Sequence, residues 1–186
     1  WRVASANRLA PWWASTLSAG DGVDDSRSQT AFGDFTFDTT QRQYTWQNDF
    51  TLPGDAGALT LGIERREERL ATDAAFAVTA RDTDAVFGVW RARFGDQALQ
   101  ANLRRDDSSQ YGGETTGAVA WGWRFAPQWR VTAGYGTAFK APTFNDLYYP
   151  GFSNPDLVPE TSTSVEAGVY ATASGDAVRV EARAIG

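Results

Sequence analysis

The sequence predicts an all-β protein, a transmembrane antiparallel up-and-down β-barrel, and two observations carry that prediction. Apolar and polar residues alternate with a period of two along most of the chain, as they do in strands with one face in lipid and the other in a polar lumen. Short and long connections between the predicted strands also alternate, like the periplasmic turns and extracellular loops of outer-membrane barrels. A soluble β-sandwich, the alternative, has no physical reason to keep all of its long loops at one end.

The alternation is clearest between residues 41 and 52. Tyr44, Trp46 and Phe50 fall on one side of an extended chain there, whereas Gln43 and Gln47 fall on the other. Helical spacing would not keep these two sets apart. Because the pattern recurs, we predict nine strands, over residues 12–20, 39–52, 58–70, 83–94, 98–105, 115–125, 129–139, 161–173 and 177–185.

The connections between these strands predict the two ends of the barrel. The short ones cover residues 53–57, 95–97, 126–128 and 174–176. The long ones cover residues 21–38, 71–82, 106–114 and 140–160. Aromatic residues gather beside the short turns and near the last long loop, a distribution that resembles the two interfacial girdles of a membrane barrel. The strand faces assign Trp46, Trp90, Trp121 and Trp123 to lipid, and Gln47, Arg91, Gly122 and Arg124 to the lumen.

Composition excludes several classes of function. The formal net charge of −6 over 186 residues argues against a nucleic-acid partner, because nucleic-acid binding needs a basic surface. The chain has no Cys and no His, so it can build no disulfide, no Cys/His zinc site and no Ser–His–Asp triad. We therefore expect neither an enzyme nor a prosthetic group. No apolar stretch has the ~18–20 residues of a membrane-spanning helix.

The chain is expected to be a partial barrel of about nine to ten strands, cut from a larger one. Nine strands leave two unpaired sheet edges, which closure of a barrel normally removes. The last predicted strand ends in Ala184-Ile185-Gly186, without the terminal aromatic residue that small barrels carry. Residues 1–5 read as the end of a strand that begins earlier.

A long motif lies in the second half of the chain. Residues 134–144 read GYGTAFKAPTF, Leu147-Tyr148 follow, residues 154–160 read NPDLVPE, and residues 166–168 read EAG. This pattern resembles the C-terminal half of the barrels of TonB-dependent outer-membrane receptors. Residues 43–49 and 103–112 resemble the corresponding segments of the cobalamin (vitamin B12) receptors among them.

The resemblance implies a function for the whole protein. Residues 1–186 would be a segment of the barrel domain, from a barrel of about 22 strands, with no plug domain present. The parent protein would take up cobalamin or a related corrinoid in the bacterial outer membrane, driven by TonB through the absent plug domain, with outer-membrane lipid around it. The alternatives are a TonB-dependent siderophore or haem receptor and a small structural outer-membrane barrel.

The resemblance also implies ligand contacts at four residues. Thr83 opens a strand at the place where cobalamin receptors hold a threonine near the ligand, and the others lie in the loop 140–160: Tyr148, Tyr149 and Phe152. The alternative is structural, because β-branched residues are common in strands and the loop can shape the rim without contacting ligand.

Aspartates suggest a calcium site in the first long loop. Asp21, Asp24 and Asp25 lie within five positions, and Asp38 lies near the end of the loop. Carboxylates at short spacing suit Ca²⁺, which takes ~6–8 oxygen ligands, and some cobalamin receptors order their loops around calcium. Calcium is thus the one candidate cofactor. The alternative is a solvated acidic loop.

Overall fold

The computed structural model of the chain describes residues 1–30, 33–173 and 176–185, with side chains over 1–27 and 36–172. These residues form ten strands and one short α-helix, α1 (Phe144–Tyr148). The strands are β1 (Arg2–Ala10), β2 (Trp13–Thr30), β3 (Gly33–Thr51), β4 (Ala58–Thr72), β5 (Ala80–Phe94), β6 (Gln97–Ser108), β7 (Gly112–Ala126), β8 (Trp129–Lys140), β9 (Glu160–Ala173) and β10 (Asp176–Ile185). Within the described part of the chain, no helix is long and apolar enough to cross a membrane.

All ten strands belong to one sheet, in which the spatial order is the sequence order from β1 to β10. Each strand pairs antiparallel with its neighbours in sequence. The predicted up-and-down meander is therefore confirmed. In the described structure β1 and β10 are the two edges of an open sheet.

The pairing register divides the sheet into two chemically different faces, because residues directly opposite each other point to the same side. On one face Trp46 lies opposite Leu17 and Ile63, and Ile63 lies opposite Val86. We call this the apolar face. The polar face is defined by the row from β2 to β6 that reads Ser18, Thr45, Glu64, Ala85 and Asp106.

The apolar face is turned outward rather than into a core. Leu17, Trp46, Ile63 and Val86 are between 48% and 61% exposed. The buried apolar side chains among the described residues are small or lie near the loops: Leu70, Ala85, Ala92, Phe144 and Leu147. A sheet with exposed large apolar residues on one face needs an apolar solvent or a partner on that face.

Aromatic rings form a belt beside the short turns. Trp12, Trp13 and Phe50 stack with centroids 6.0–6.2 Å apart where β2 begins and β3 ends. A second run lies around the β7–β8 turn, where Trp123, Phe125 and Trp129 follow one another at 5.7 and 6.3 Å. Amphipathic rings at this level are typical of a membrane–water interface.

Three of the four predicted long loops are much shorter than expected, because strands continue into them. The predicted loop 21–38 is wrong, since β2 and β3 pair through Asp21↔Arg42 and Asp25↔Asp38 and beyond. Likewise the β4–β5 connection is reduced to residues 73–79 and the β6–β7 connection to 109–111. Backbone ladders need no apolar side chains, so the loss of alternation does not end them. The connection 141–159 is one residue shorter at each end than the predicted loop 140–160.

The first strand was predicted only in part, as the end of a strand over residues 1–5. β1 (Arg2–Ala10) pairs with β2 from Arg2↔Gly20 to Ala10↔Trp13. Its sequence, RVASANRLA, alternates mainly between small and polar residues. That composition gives little periodic contrast in hydropathy, so the sequence alone does not show that the strand continues to Ala10.

Candidate ligand site on the polar face

The long connection 141–159 is ordered at its start by α1. Thr143 and Asp146 form a capping box, in which the Asp146 backbone N–H donates to Thr143 Oγ1 at 3.2 Å and the Thr143 N–H donates to Asp146 Oδ2 at 2.9 Å. The Asp146 carboxylate accepts from the Thr143 N–H and also from the Thr143 hydroxyl, at 2.7 Å, and these two hydrogen bonds lower the pKa of Asp146 below its usual value of 3.8. The helix is followed by a turn in which the Asn154 N–H donates to the Asp146 carbonyl at 2.9 Å. The first half of the loop therefore has a defined backbone.

Arg81 connects this loop to the wall of the sheet. Its guanidinium forms a bidentate pair with Glu68, with Nε–Oε2 at 2.8 Å and Nη2–Oε1 at 3.1 Å. The remaining nitrogen, Nη1, donates to Gln110 Oε1 and to the Pro142 carbonyl, both at 2.9 Å. The Phe144 ring lies 5.2 Å from the guanidinium carbon. Arg81 is only 9% exposed.

A group of three aromatic rings holds the loop at a second point. Tyr149 at the end of α1 lies 6.3 Å from Phe37 of β3 and 6.0 Å from Phe76 of the β4–β5 connection, measured between centroids. Phe37 and Phe76 are 6.1 Å apart. Edge-to-face and tilted arrangements of this kind are favourable beyond the area they bury.

Below the loop, the polar face carries a compact ionic network. Arg104 on β6 makes a two-point contact with Asp106, at 2.9 Å from Nε to Oδ2 and 2.8 Å from Nη2 to Oδ1. Its Nη2 also donates to Glu64 Oε1 at 2.8 Å, and Gln43 Nε2 donates to Glu64 Oε2 at 2.7 Å. Arg81, Arg104, Asp106 and Glu64 are among the residues that line a cavity of about 580 Å³.

Three buried polar atoms in this region have no hydrogen-bond partner in the described structure: Arg66 Nε, Thr83 Oγ1 and Gln110 Nε2. Arg66 and Thr83 are directly opposite on β4 and β5. Arg66 Nε lies within ion-pair distance of Glu68 Oε2, at 3.9 Å, whereas Gln110 Nε2 has no acceptor in the described structure. A buried donor without an acceptor costs ~1–3 kcal/mol. Two of the three atoms are obligate donors, so the region suits groups that present acceptor oxygens.

The aspartates proposed for calcium lie on strands rather than in a loop. Asp21 and Asp25 share one face of β2, with Asp25 directly opposite Asp38, whereas Asp24 points to the other face, opposite Thr39. Asp21 is held by Arg42, with 2.9 Å between Oδ2 and Nε. Over the described residues, no group of three or more carboxylates is placed to hold a metal ion. The pair Asp25–Asp38 is the part of the predicted site that the fold brings together.

Comparison with known proteins decides the family. The family model described as "TonB dependent receptor-like, beta-barrel" matches residues 3–182. The chain belongs to this family. Membership confirms the predicted resemblance and places this receptor barrel in the outer membrane of Gram-negative bacteria. In barrels of this kind the polar face of the sheet lines the lumen.

Relatives of similar sequence are vitamin B12 transporters. The chain is 34% identical over 152 residues to the vitamin B12 transporter BtuB of Vibrio cholerae serotype O1, covering 82% of the chain and 25% of that protein. It is 36% identical over 128 residues to BtuB of Photobacterium profundum, covering 68% of the chain and 21% of the relative. The chain thus spans about a quarter of the length of the curated relatives it matches.

Solved structures of siderophore receptors share the fold. A mutant of the ferric enterobactin receptor PfeA from Pseudomonas aeruginosa superposes with a TM-score of 0.77 at 15% identity, over 97% of this chain and 33% of that one. The siderophore receptor PirA from Acinetobacter baumannii gives 0.71 at 13% identity, over 93% and 32%. Identities this low show the fold alone.

The four predicted ligand residues of this receptor barrel occupy two different settings. Tyr148 and Tyr149 are half-buried in the loop and Phe152 is 90% exposed at its apex. Thr83 is on the lumen face of β5 and only 2% exposed. Arg81, two positions earlier on the same face, connects that strand to the loop. Ligand contact by these four residues stays a prediction.

The residues that sequence reasoning missed are those that join loop to wall. Arg81 and Glu68 are cross-strand partners, and Gln110 is the third member of the group. Two features of the sequence could have found them. Arg81 is two positions before Thr83, so both point to the same face of β5, and the residue opposite Arg81 on β4 is the acidic Glu68. Recognising these features requires the register of the β4–β5 hairpin.

Proposed function

We propose that the protein containing this chain imports cobalamin or a related corrinoid across the outer membrane, driven by TonB. The observation that carries the proposal is the 34% identity to a vitamin B12 transporter over 82% of the chain. TonB would act through a plug domain that lies outside residues 1–186. The apolar face would contact outer-membrane lipid, and no enzymatic step is needed.

The loop 141–159 offers chemistry that suits a corrinoid. A corrin is a large, flat macrocycle whose edge carries amide groups, so it needs both contact area and hydrogen-bonding partners. Tyr148, Tyr149 and Phe152 provide aromatic area at low conformational cost, and the two tyrosines add hydroxyl groups. Phe152, at 90% exposure, has its whole ring available for such contact.

We further propose that the facing carboxylates of Asp25 and Asp38 contribute to a calcium site. Like charges directly opposite on neighbouring strands repel each other, and a bound Ca²⁺ would relieve that repulsion. Ca²⁺ takes ~6–8 oxygen ligands, so two carboxylates are only part of the shell. Neighbouring loops outside this chain, backbone carbonyls or water would complete it.

A ferric siderophore is the second candidate ligand, because siderophore receptors share the fold at a TM-score of 0.77. Calorimetric titration of the intact receptor with cyanocobalamin and with ferric enterobactin separates the two. We expect tight binding of the corrinoid and none of the siderophore. Tight binding of ferric enterobactin with no corrinoid binding would contradict the proposal.

Variants of single aromatic residues locate the site. Phe152→Ala should weaken corrinoid binding roughly tenfold or more, the effect expected of an aromatic residue that carries binding energy. The matched control is Phe125→Ala, which removes an exposed ring from the aromatic belt beside the short turns. Equal affinities for both variants would place the ligand away from the apex of the loop.

A further inference from the structure

We propose that Arg81 is a positioning residue, which docks the loop 141–159 against the lumen wall in the conformation that receives the ligand. The identity of the ligand rests on the proposed function, whereas the docking of the loop does not. Arg81 would not contact the ligand; it would act through the loop. Its side chain is the point where β4, β5, the β6–β7 connection and the loop meet.

All three guanidinium nitrogens of Arg81 donate hydrogen bonds, two of them to one carboxylate and the third to two different acceptors. Glu68 occupies Nε and Nη2 as a two-point carboxylate contact, and Nη1 is shared between Gln110 Oε1 and the Pro142 carbonyl. Only an arginine presents donors in a planar fork of this kind. A lysine ammonium could keep the charge near Glu68 but could not reach the same three partners at once.

Burial makes this contact specific. Arg81 is 9% exposed, Phe144 7% and Leu147 3%, so the cation is covered by the start of the loop that it binds. The Tyr111 ring lies 5.9 Å from the guanidinium carbon, on a segment adjacent to Gln110. A desolvated cation gains more from aromatic faces and from its carboxylate than an exposed one does, and undocking of the loop would forfeit those contacts.

The base of the loop is thereby fixed, whereas its apex is open. Pro142 and Phe144 contact Arg81 directly, and the capping box starts α1 at once. Phe152, eight residues beyond Phe144, is 90% exposed. A ligand that meets a loop already docked at its base has less conformational entropy to remove when it binds. Loss of Arg81 should therefore lower the affinity for the ligand without removing any contact between protein and ligand.

The test uses the intact receptor in detergent, with variants Arg81→Gln, Arg81→Lys and Glu68→Gln. The control is Arg91→Gln, on the same strand and the same face, whose Nε donates to Gln100 Oε1 near the short turns. Hydrogen exchange of the amides in 143–149 reports docking without any ligand, and calorimetry with cyanocobalamin reports affinity. Thermal unfolding of the barrel reports whether each variant folds.

For Arg81→Gln we expect faster amide exchange in 143–149 and a roughly tenfold rise in Kd. Arg81→Lys should change both quantities to a similar extent and Glu68→Gln to a smaller one. Arg91→Gln should change neither. Unchanged exchange in both Arg81 variants would overturn the proposal, as would faster exchange with unaltered affinity. If Arg81→Gln does not fold, Arg81→Lys and Glu68→Gln decide the question by the same measurements. If the wild type binds ferric enterobactin and no corrinoid, the proposed function fails, and the same variants test docking with that ligand.

Discussion

Asp106 lies beneath the guanidinium of Arg104, two residues earlier on the same strand, with only 2% of its surface exposed. The two residues share a face because of the period of the strand, and Arg104 Nε and Nη2 both donate to the carboxylate, at 2.9 and 2.8 Å. Glu64 on β4 accepts a further hydrogen bond from Arg104. The network ties β4 and β6 together across the intervening strand β5.

Removal of this buried carboxylate should destabilise the barrel. Asp106→Ala leaves Arg104 Nε without an acceptor, whereas Nη2 keeps its hydrogen bond to Glu64 Oε1. Hydrogen bonds to charged groups contribute about 1.5–3 kcal/mol, and we expect a loss of free energy of unfolding in that range. Urea unfolding of the intact receptor in micelles measures it. Asp107→Ala, next in sequence and exposed on the other face, is the control and should change stability by less than about 0.5 kcal/mol.

Two glycines at the β3–β4 turn should respond differently to alanine. Gly57 has φ +81°, and a Cβ there would overlap the Arg91 carbonyl oxygen. Gly54 has φ +58° and no atom within 4 Å of its Cβ position. Gly54→Ala should cost only the ~1–2 kcal/mol of a left-handed residue. Gly57→Ala adds a backbone overlap, so we expect it to cost more than about 3 kcal/mol and to reduce the folded yield. Equal yields and stabilities would show that the turn relaxes around the new methyl group.

The capping box of α1 should loosen in acid. Because folding lowers the pKa of Asp146 below 3.8, its contribution to the order of the helix is complete above that value and is lost as the pH falls through the folded pKa. Exchange of the amides in 144–149, corrected for intrinsic rates, should therefore increase below about pH 4. Asp146→Asn should exchange faster already at pH 7 and show no further rise in acid. The same acid-induced rise in Asp146→Asn would assign the effect to another group.

Tryptophan fluorescence tests the assignment of the two faces. Pairing places Trp46, Trp90 and Trp121 on the apolar face, opposite Ile63, Leu59 and Leu99 in turn. Brominated lipids quench indoles that touch acyl chains, so single-tryptophan versions of the intact receptor that retain one of these residues should be strongly quenched. Absence of quenching at all three would show that the apolar face is covered by protein.

The sequence predicted the architecture better than the site, for a physical reason. Alternation with a period of two is a local signal, so nine strands could be recognised from neighbours alone. Strand ends above the membrane carry polar residues on both faces, which is why the β2–β3 hairpin was mistaken for a loop. The contact between Arg81 and Pro142 joins residues 61 positions apart. No spacing rule predicts such a pair, because it depends on where a loop folds back onto the sheet.

The register of the β2–β3 hairpin turns the calcium proposal into a test of single residues. Asp25 and Asp38 face each other, Asp24 points away, and Asp21 is engaged by Arg42. Asp25→Asn and Asp38→Asn each remove one charged ligand and keep the shape of the side chain, so both should weaken calcium binding by the intact receptor, by roughly tenfold or more. Asp24→Asn should leave it unchanged, because its carboxylate is on the opposite face. Isothermal titration with CaCl₂ after treatment with chelator measures all three. If Asp24→Asn is as harmful as the other two, the cation binds elsewhere; if none has an effect, the facing pair is a solvated part of the hairpin and carries no calcium.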